Sequence, residues 1–171
     1  LRVPDFRVVN AEKNLKNLRF VFKYPVVVKP SDRGSSIGVS IVDDSSGLPQ
    51  ALKAASGHSK NIMIQKYVEG REFTCGVLER FGRLKALPPT EIIPSDGKLF
   101  DYNAKYTSGA SREITPPNLS AEGIKKIQKI ALKAHNVIGA KGFSRTDTIM
   151  AGAKFYVLEI NTLPGMTETS L

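Results

Sequence analysis

The chain has 171 residues, 41% hydrophobic and 24% charged, with 25 Lys and Arg against 16 Asp and Glu, one Cys and no Trp. That length suits one ordinary domain or two lobes, and the composition excludes intrinsic disorder and collagen. No run approaches the roughly 18 apolar residues of a spanning helix, so no membrane partner is expected. The lone Cys75 cannot close an internal disulfide, which suits a reducing compartment. The chain starts at Leu1 rather than Met, with no charged-then-apolar leader, so a fragment is expected.

The net charge of +9 is spread along the chain, with eleven basic and six acidic residues in 1–70 and fourteen and ten in 71–171. No four Lys or Arg run together, no zinc-finger spacing occurs, and the aromatics do not interleave with the bases. Nucleic acid is therefore not an expected partner. An anionic small ligand such as a nucleotide, or a solvated basic surface, accounts for the balance.

In chain order, Asn10 is placed to cap a short helix through Glu12 and Leu15 toward Leu18. Residues 24–30, Tyr-Pro-Val-Val-Val-Lys-Pro, read as a buried strand ended by Pro30. A polar, glycine-rich loop follows over 31–38, and strand character resumes over 37–42. Residues 48–56 suit a short helix, with Pro49 in its first turn and Gly57 just past its end. Strands are expected at 62–66 and 73–78, on either side of Glu69-Gly70, and a brief one at 91–93 between turn signals. Residues 101–112 show no period and read as a loop that orders on demand. Ser120 caps the longest helix, whose stripe is Ile124, Ile127, Ala131, Ala134 and Ile138, with Gly139 at its stop. Strands at 143–150 and 155–161 form a hairpin through Ala151-Gly-Ala-Lys154. The order implies an α+β fold with largely antiparallel sheets.

Two constellations carry chemistry. Lys29 ends a strand five residues before Gly34-Ser-Ser-Ile-Gly38, where small residues let backbone N–H groups approach phosphate. The spacing is wrong for a Walker loop, and a plain hairpin turn beside a surface lysine reads as well. In the C-terminal hairpin, period-two geometry puts Arg145 with Asp147, and Glu159 with Asn161, on one sheet face. Two carboxylates and an amide oxygen suit Mg²⁺ completed by phosphates; the alternative is a solvated face holding an Arg–carboxylate pair. Phe143, Ile149, Val157 and Leu158 are expected on the opposite face, which makes this a core sheet. His58 reads as solvated, His135 as a boundary residue beside its helix's stripe, and Cys75 as a small core residue.

The segments YPVVVKP-x3-GSSIG at 24–38, EGREFT at 69–74, DYNAKY at 101–106, GFSRTD at 142–147 and LEINTLPGMT at 158–167 occur in one order. Together they resemble the D-alanine–D-alanine ligases of the ATP-grasp superfamily, over almost the whole chain from Tyr24 to Leu171. The resemblance implies two lobes of mostly antiparallel sheet with helices, a small lid over 1–69 and an incomplete catalytic subdomain over 70–171. It implies ATP, two Mg²⁺ ions that Mn²⁺ can replace, and D-alanine, in a cytoplasmic enzyme of peptidoglycan precursor synthesis that is a homodimer at full length.

Carried onto matching positions, the resemblance assigns Lys29 to the ATP phosphates and Ser35, Ser36 and Gly38 to the covering loop. Gln65, Lys66, Tyr67 and Val68 would meet adenine, Glu72 the ribose, and Ile149 and Leu158 the faces of the base. Asp147, Glu159 and Asn161 would hold metal, while Arg145 and the Gly165 N–H stabilise the tetrahedral intermediate. Lys105, Ser170 and Leu171 would hold the second D-alanine's carboxylate, and Tyr106 would lock the closed loop. Two positions depart from the family pattern: Gln65 where Glu is frequent, and Phe100 where Tyr is common. The family also has an upstream domain supplying part of the first D-alanine site, and further helix beyond Leu171. Ligases making D-alanyl-D-lactate or D-alanyl-D-serine, and a nucleotide-binding module without ligase activity, are the alternatives. Lys105-Tyr106 favours D-alanine as second substrate, since the lactate-forming branch usually carries a His in that loop.

Overall fold

The computed structural model describes residues 1–12, 22–34, 36–94 and 111–165. Ten strands and two helices occur among them, in two compact units, Pro4–Val68 and Leu1–Val3 with Glu69–Leu171.

In the first unit, β1 (Phe6–Asn10), β2 (Val26–Pro30), β3 (Ser40–Val42) and β4 (Asn61–Lys66) form an antiparallel sheet in the order β1-β4-β2-β3. Helix α1 (Leu48–Ser56) has Pro49 in its first turn, and the Gly57 N–H closes it onto Lys53 O. Strand alternation points Val26, Val28, Ile62 and Ile64 toward the helix, where they are buried with Ala51, Leu52 and Ala55. Strand β1 ends at Asn10, where the expected helix would begin, and residues 11 and 12 form a turn. The Asn10 side chain does accept a backbone N–H, from Glu12 at 2.8 Å, but as a turn that ends a strand. Residues 13–21, where the rest of that helix was expected, lie outside the described residues.

The second unit holds β5 (Arg71–Arg80), β6 (Arg83–Ala86), β7 (Thr90–Pro94), β8 (Ser111–Ile114), β9 (Phe143–Ala151) and β10 (Lys154–Asn161). Their order is β10-β9-β5-β7-β8, with β6 paired to β5, again all antiparallel. Helix α2 (Ala121–Val137) is capped by Ser120 Oγ, which accepts the Gly123 N–H at 3.2 Å. Its Ile127 and Ala131 are buried with Phe73, Cys75, Val77 and Phe155 from the sheet. Arg71 grips the buried Glu91 through two charge-assisted bonds, Nε at 2.6 Å and Nη2 at 2.7 Å. Gly70 leads into β5 so close to β9 that an added methyl would stand 2.8 Å from the Met150 carbonyl carbon.

The arrangement is the expected α+β fold of antiparallel sheets, and no helix among the described residues is long and apolar enough to cross a membrane. Three local readings are corrected. Ser111 and Arg112, expected in a loop, pair with β7 as the start of β8. His135 is not a boundary residue: it is 1% exposed, and its Nδ1 lies 2.8 Å from Ser144 Oγ. Ile149 and Phe143 share the alternation of Arg145 and Asp147, so they do not lie opposite them. The core face of β9 instead carries Ser144, Thr146 and Thr148, all buried.

Candidate active site

The β9–β10 hairpin pairs Tyr156 with Ile149 and Val157 with Thr148, then shifts register so that Glu159 faces Asp147 and Asn161 faces Arg145. Leu158 is the extra residue of this bulge. Uninterrupted alternation from Tyr156 would have set Leu158 opposite Asp147 and sent Glu159 to the core face. The inserted residue reverses the parity and brings two carboxylates into register, as bulges beside functional sites do.

Asp147 is 5% exposed, and its carboxylate is fully engaged. Oδ1 accepts the Thr74 hydroxyl at 2.7 Å and Arg145 Nε at 3.0 Å. Oδ2 accepts Arg145 Nη2 at 3.0 Å and Asn161 Nδ2 at 3.1 Å. Four donors occupy about four lone-pair positions, so this buried charge is both neutralised and saturated. The Arg–carboxylate pair of the alternative reading is therefore present, and it is partly buried rather than solvated, with side-chain exposures of 16% and 7%. Thr74 was not singled out from sequence. It stands directly across β5 from Asp147, with no sequence spacing to announce a partner 73 residues away.

Glu72 stands two pairs along, across from Ile149, so Glu72, Thr74, Asp147 and Ile149 share one sheet face. Gly165 is described and exposed. In the first unit, Lys29 pairs with Met63 and Val27 with the buried Gln65, which places Lys29 and Gln65 on the face away from α1. Lys66 donates its backbone N–H to Asp5 O at 2.8 Å, and Tyr67 donates its own to Pro25 O at 3.3 Å. Val68 is half-buried at the end of this unit. The glycine-rich segment is folded into turns, with Ile37 N–H to Gly34 O and Val39 N–H to Ser36 O. Ser36 and Gly38 there take φ of 57° and 71°. Gly38 packs where a side chain would meet His58 at 2.9 Å. His58 is exposed, as expected. Ser35, Phe100, Lys105, Tyr106, Ser170 and Leu171 lie outside the described residues.

As a donor set, Asp147, Glu159 and Asn161 offer hard oxygens from two adjacent strands, which fits a divalent cation. Among the described residues no three His, Cys, Asp or Glu side chains gather closely enough to hold a metal ion alone. Two carboxylates and an amide leave coordination positions that phosphate and water fill, which is how Mg²⁺ is usually bound.

A mixed α+β chain of this topology is an ATP-grasp fold: it superposes on the crystal structure of VanG D-Ala:D-Ser ligase from Enterococcus faecalis with a TM-score of 0.81 at 31% identity, covering 100% of this chain and 50% of that one. It matches D-alanine–D-alanine ligase from Bacillus anthracis complexed with ATP with a TM-score of 0.77 at 27% identity, covering 99% and 52%. The family model for the D-ala D-ala ligase C-terminus matches residues 2–171, and the chain belongs to that family. It is 51% identical over 148 residues to a D-alanine–D-alanine ligase of Syntrophobacter fumaroxidans, covering 86% of this chain and 47% of that protein. To the Geobacter sulfurreducens enzyme of the same name it is 40% identical over 172 residues, covering 100% and 53%. The chain thus spans about half the length of the curated relatives it matches.

Proposed function

We propose that this chain is the ATP- and metal-binding part of a D-alanine–D-alanine ligase, which joins two D-alanines through an acyl phosphate at the expense of ATP. The observation that carries the reading is the saturated Asp147 with Glu159 brought into register by the Leu158 bulge, in a chain of this family. The first D-alanine's carboxylate attacks the γ-phosphate of ATP, ADP leaves, and the second D-alanine's amine displaces phosphate from the acyl carbon. A divalent cation at Asp147, Glu159 and Asn161 would neutralise charge on the transferring phosphoryl group.

The protein's own groups position and stabilise. Lys29 supplies a point charge to the phosphates, and Ser35, Ser36 and Gly38 cover them. Gln65 to Val68 line the adenine, Glu72 takes the ribose hydroxyls, and Ile149 and Leu158 flank the base. Arg145 and the Gly165 N–H meet negative charge developing on the acyl oxygen. Lys105, Tyr106, Ser170 and Leu171 belong to the second-substrate site in the same reading, as do a cytoplasmic location and a full-length homodimer. Excluding water protects the acyl phosphate, which gives the segments 31–38 and 101–110 a covering role.

The test is D-alanine-dependent ADP release by the full-length gene product, with the product identified by mass spectrometry and D-serine and D-lactate offered as competing second substrates. D-alanyl-D-alanine as the main product supports the reading. ATP binding without D-alanine-dependent ADP release would make the chain a nucleotide-binding module instead, and a mixed-dipeptide product would move it to the D-serine branch.

A further inference from the structure

Saturation of Asp147 has a consequence for how a cation reaches it. The two Arg145 bonds, at 3.0 Å to each carboxylate oxygen, occupy the positions a metal would need. Asn161 presents its Nδ2 to the same oxygen, so its amide must turn through a half-circle before Oδ1 can ligate beside Asp147. The charges agree with the geometry. With Arg145 in place, Arg145, Asp147 and Glu159 sum to −1; without it they sum to −2, which attracts a divalent cation more strongly.

Resting on the metal assignment above, we infer that Arg145 is a resident counter-ion of the metal site. It competes with the divalent cation for Asp147, so loading the site and releasing Arg145 are one coupled step. Free cation then binds poorly by itself, and the polyphosphate of the nucleotide, which can take up the released guanidinium, makes loading favourable. Arg145 in this role sets cation affinity and the requirement for nucleotide.

Mn²⁺ binding followed by electron paramagnetic resonance, together with thermal melting, tests this in the full chain without nucleotide. Wild type should bind Mn²⁺ weakly, with a melting temperature that Mn²⁺ does not move. Arg145→Met should melt lower in chelator, because a buried carboxylate loses its counter-ion, and should regain stability on adding Mn²⁺. Its Mn²⁺ affinity should exceed wild type by about tenfold or more, and adding Asp147→Asn should abolish that gain. If Arg145→Met does not fold, Arg145→Lys retains the charge with fewer bonds and should bind Mn²⁺ at an intermediate affinity. Equal affinities in wild type and the Arg145 variants, both lost with Asp147→Asn, would overturn the coupling and leave the metal site standing. No Mn²⁺ binding by any of them, even with a non-hydrolysable ATP analogue, would remove the metal assignment and the coupling together.

Discussion

Thr74 and Asp147 face each other across the β5–β9 pair, and the threonine hydroxyl donates to Asp147 Oδ1 at 2.7 Å. This bond fixes the buried end of the carboxylate while Arg145 and Asn161 hold the rest. Thr74→Val keeps the shape and leaves one acceptor position unmet. It should cost about 1–2 kcal/mol in urea unfolding, and Thr74→Ser should recover most of that. A valine variant as stable as wild type would show that the hydroxyl does not hold Asp147.

Gly70 and Gly139 separate two reasons for glycine. An alanine methyl at Gly70 would meet the Met150 carbonyl, with its carbon 2.8 Å away and the Ala151 backbone N at 3.2 Å, neither able to yield easily. Gly139 has φ of +66° but open space around it. Gly139→Ala should therefore cost only the left-handed strain, about 1 kcal/mol. Gly70→Ala should cost on the order of 3 kcal/mol or more. Equal urea midpoints for the two variants would contradict the packing.

Arg71 and Glu91 tie β5 to β7 through two short bonds, with Glu91 nearly sealed and Arg71 40% exposed. Arg71→Met strands a buried carboxylate and should cost about 2–3 kcal/mol, less than a fully buried pair because water reaches the arginine side. Glu91→Gln removes the carboxylate but leaves the wetter Arg71 its bond to Asn118 O at 3.1 Å, and should cost less. The reverse order in melting temperature would place the strain on Arg71.

Burial pushes the Cys75 thiol up to about 12 from an ordinary 9.0. A raised value means that the unfolded thiol ionises while the folded one stays protonated. Stability from this residue is thus complete below pH 9.0, and it is lost as pH rises through the window to about 12. Cys75→Ala should flatten the alkaline limb of stability against pH, and native Cys75 should resist maleimide until the protein unfolds. Rapid labelling of folded protein at pH 8 would contradict its burial.

Both described helices were readable because their signals are local: Pro49 with Gly57, and Ser120 with the stripe ending at Ile138. The family's motifs were readable because they occur in one sequence along the chain, over which the family model also matches. Strand β6 was not, because its hairpin turns through Phe81 at φ +52° where Asn or Gly would have marked it. Strand β1 was hidden because Asn10 signals a cap equally well at a turn. The Leu158 bulge was invisible because composition does not record which residue a strand leaves unpaired. The burial of His135 depends on Ser144, which the sheet and not the helix supplies.

Glu159→Gln in the full-length protein puts the metal-site reading to its most direct test, since it keeps the shape of the side chain and removes one negative charge. Melting temperature without nucleotide, and phosphate release with D-alanine and ATP across a Mg²⁺ titration, are the two readings to take. The account predicts an almost unchanged melting temperature and a loss of turnover on the order of 100-fold, the scale on which one aimed charge matters to a transition state. Lower thermal stability with near-normal turnover at low Mg²⁺ would contradict it, and would make Glu159 a structural residue of the β9–β10 hairpin.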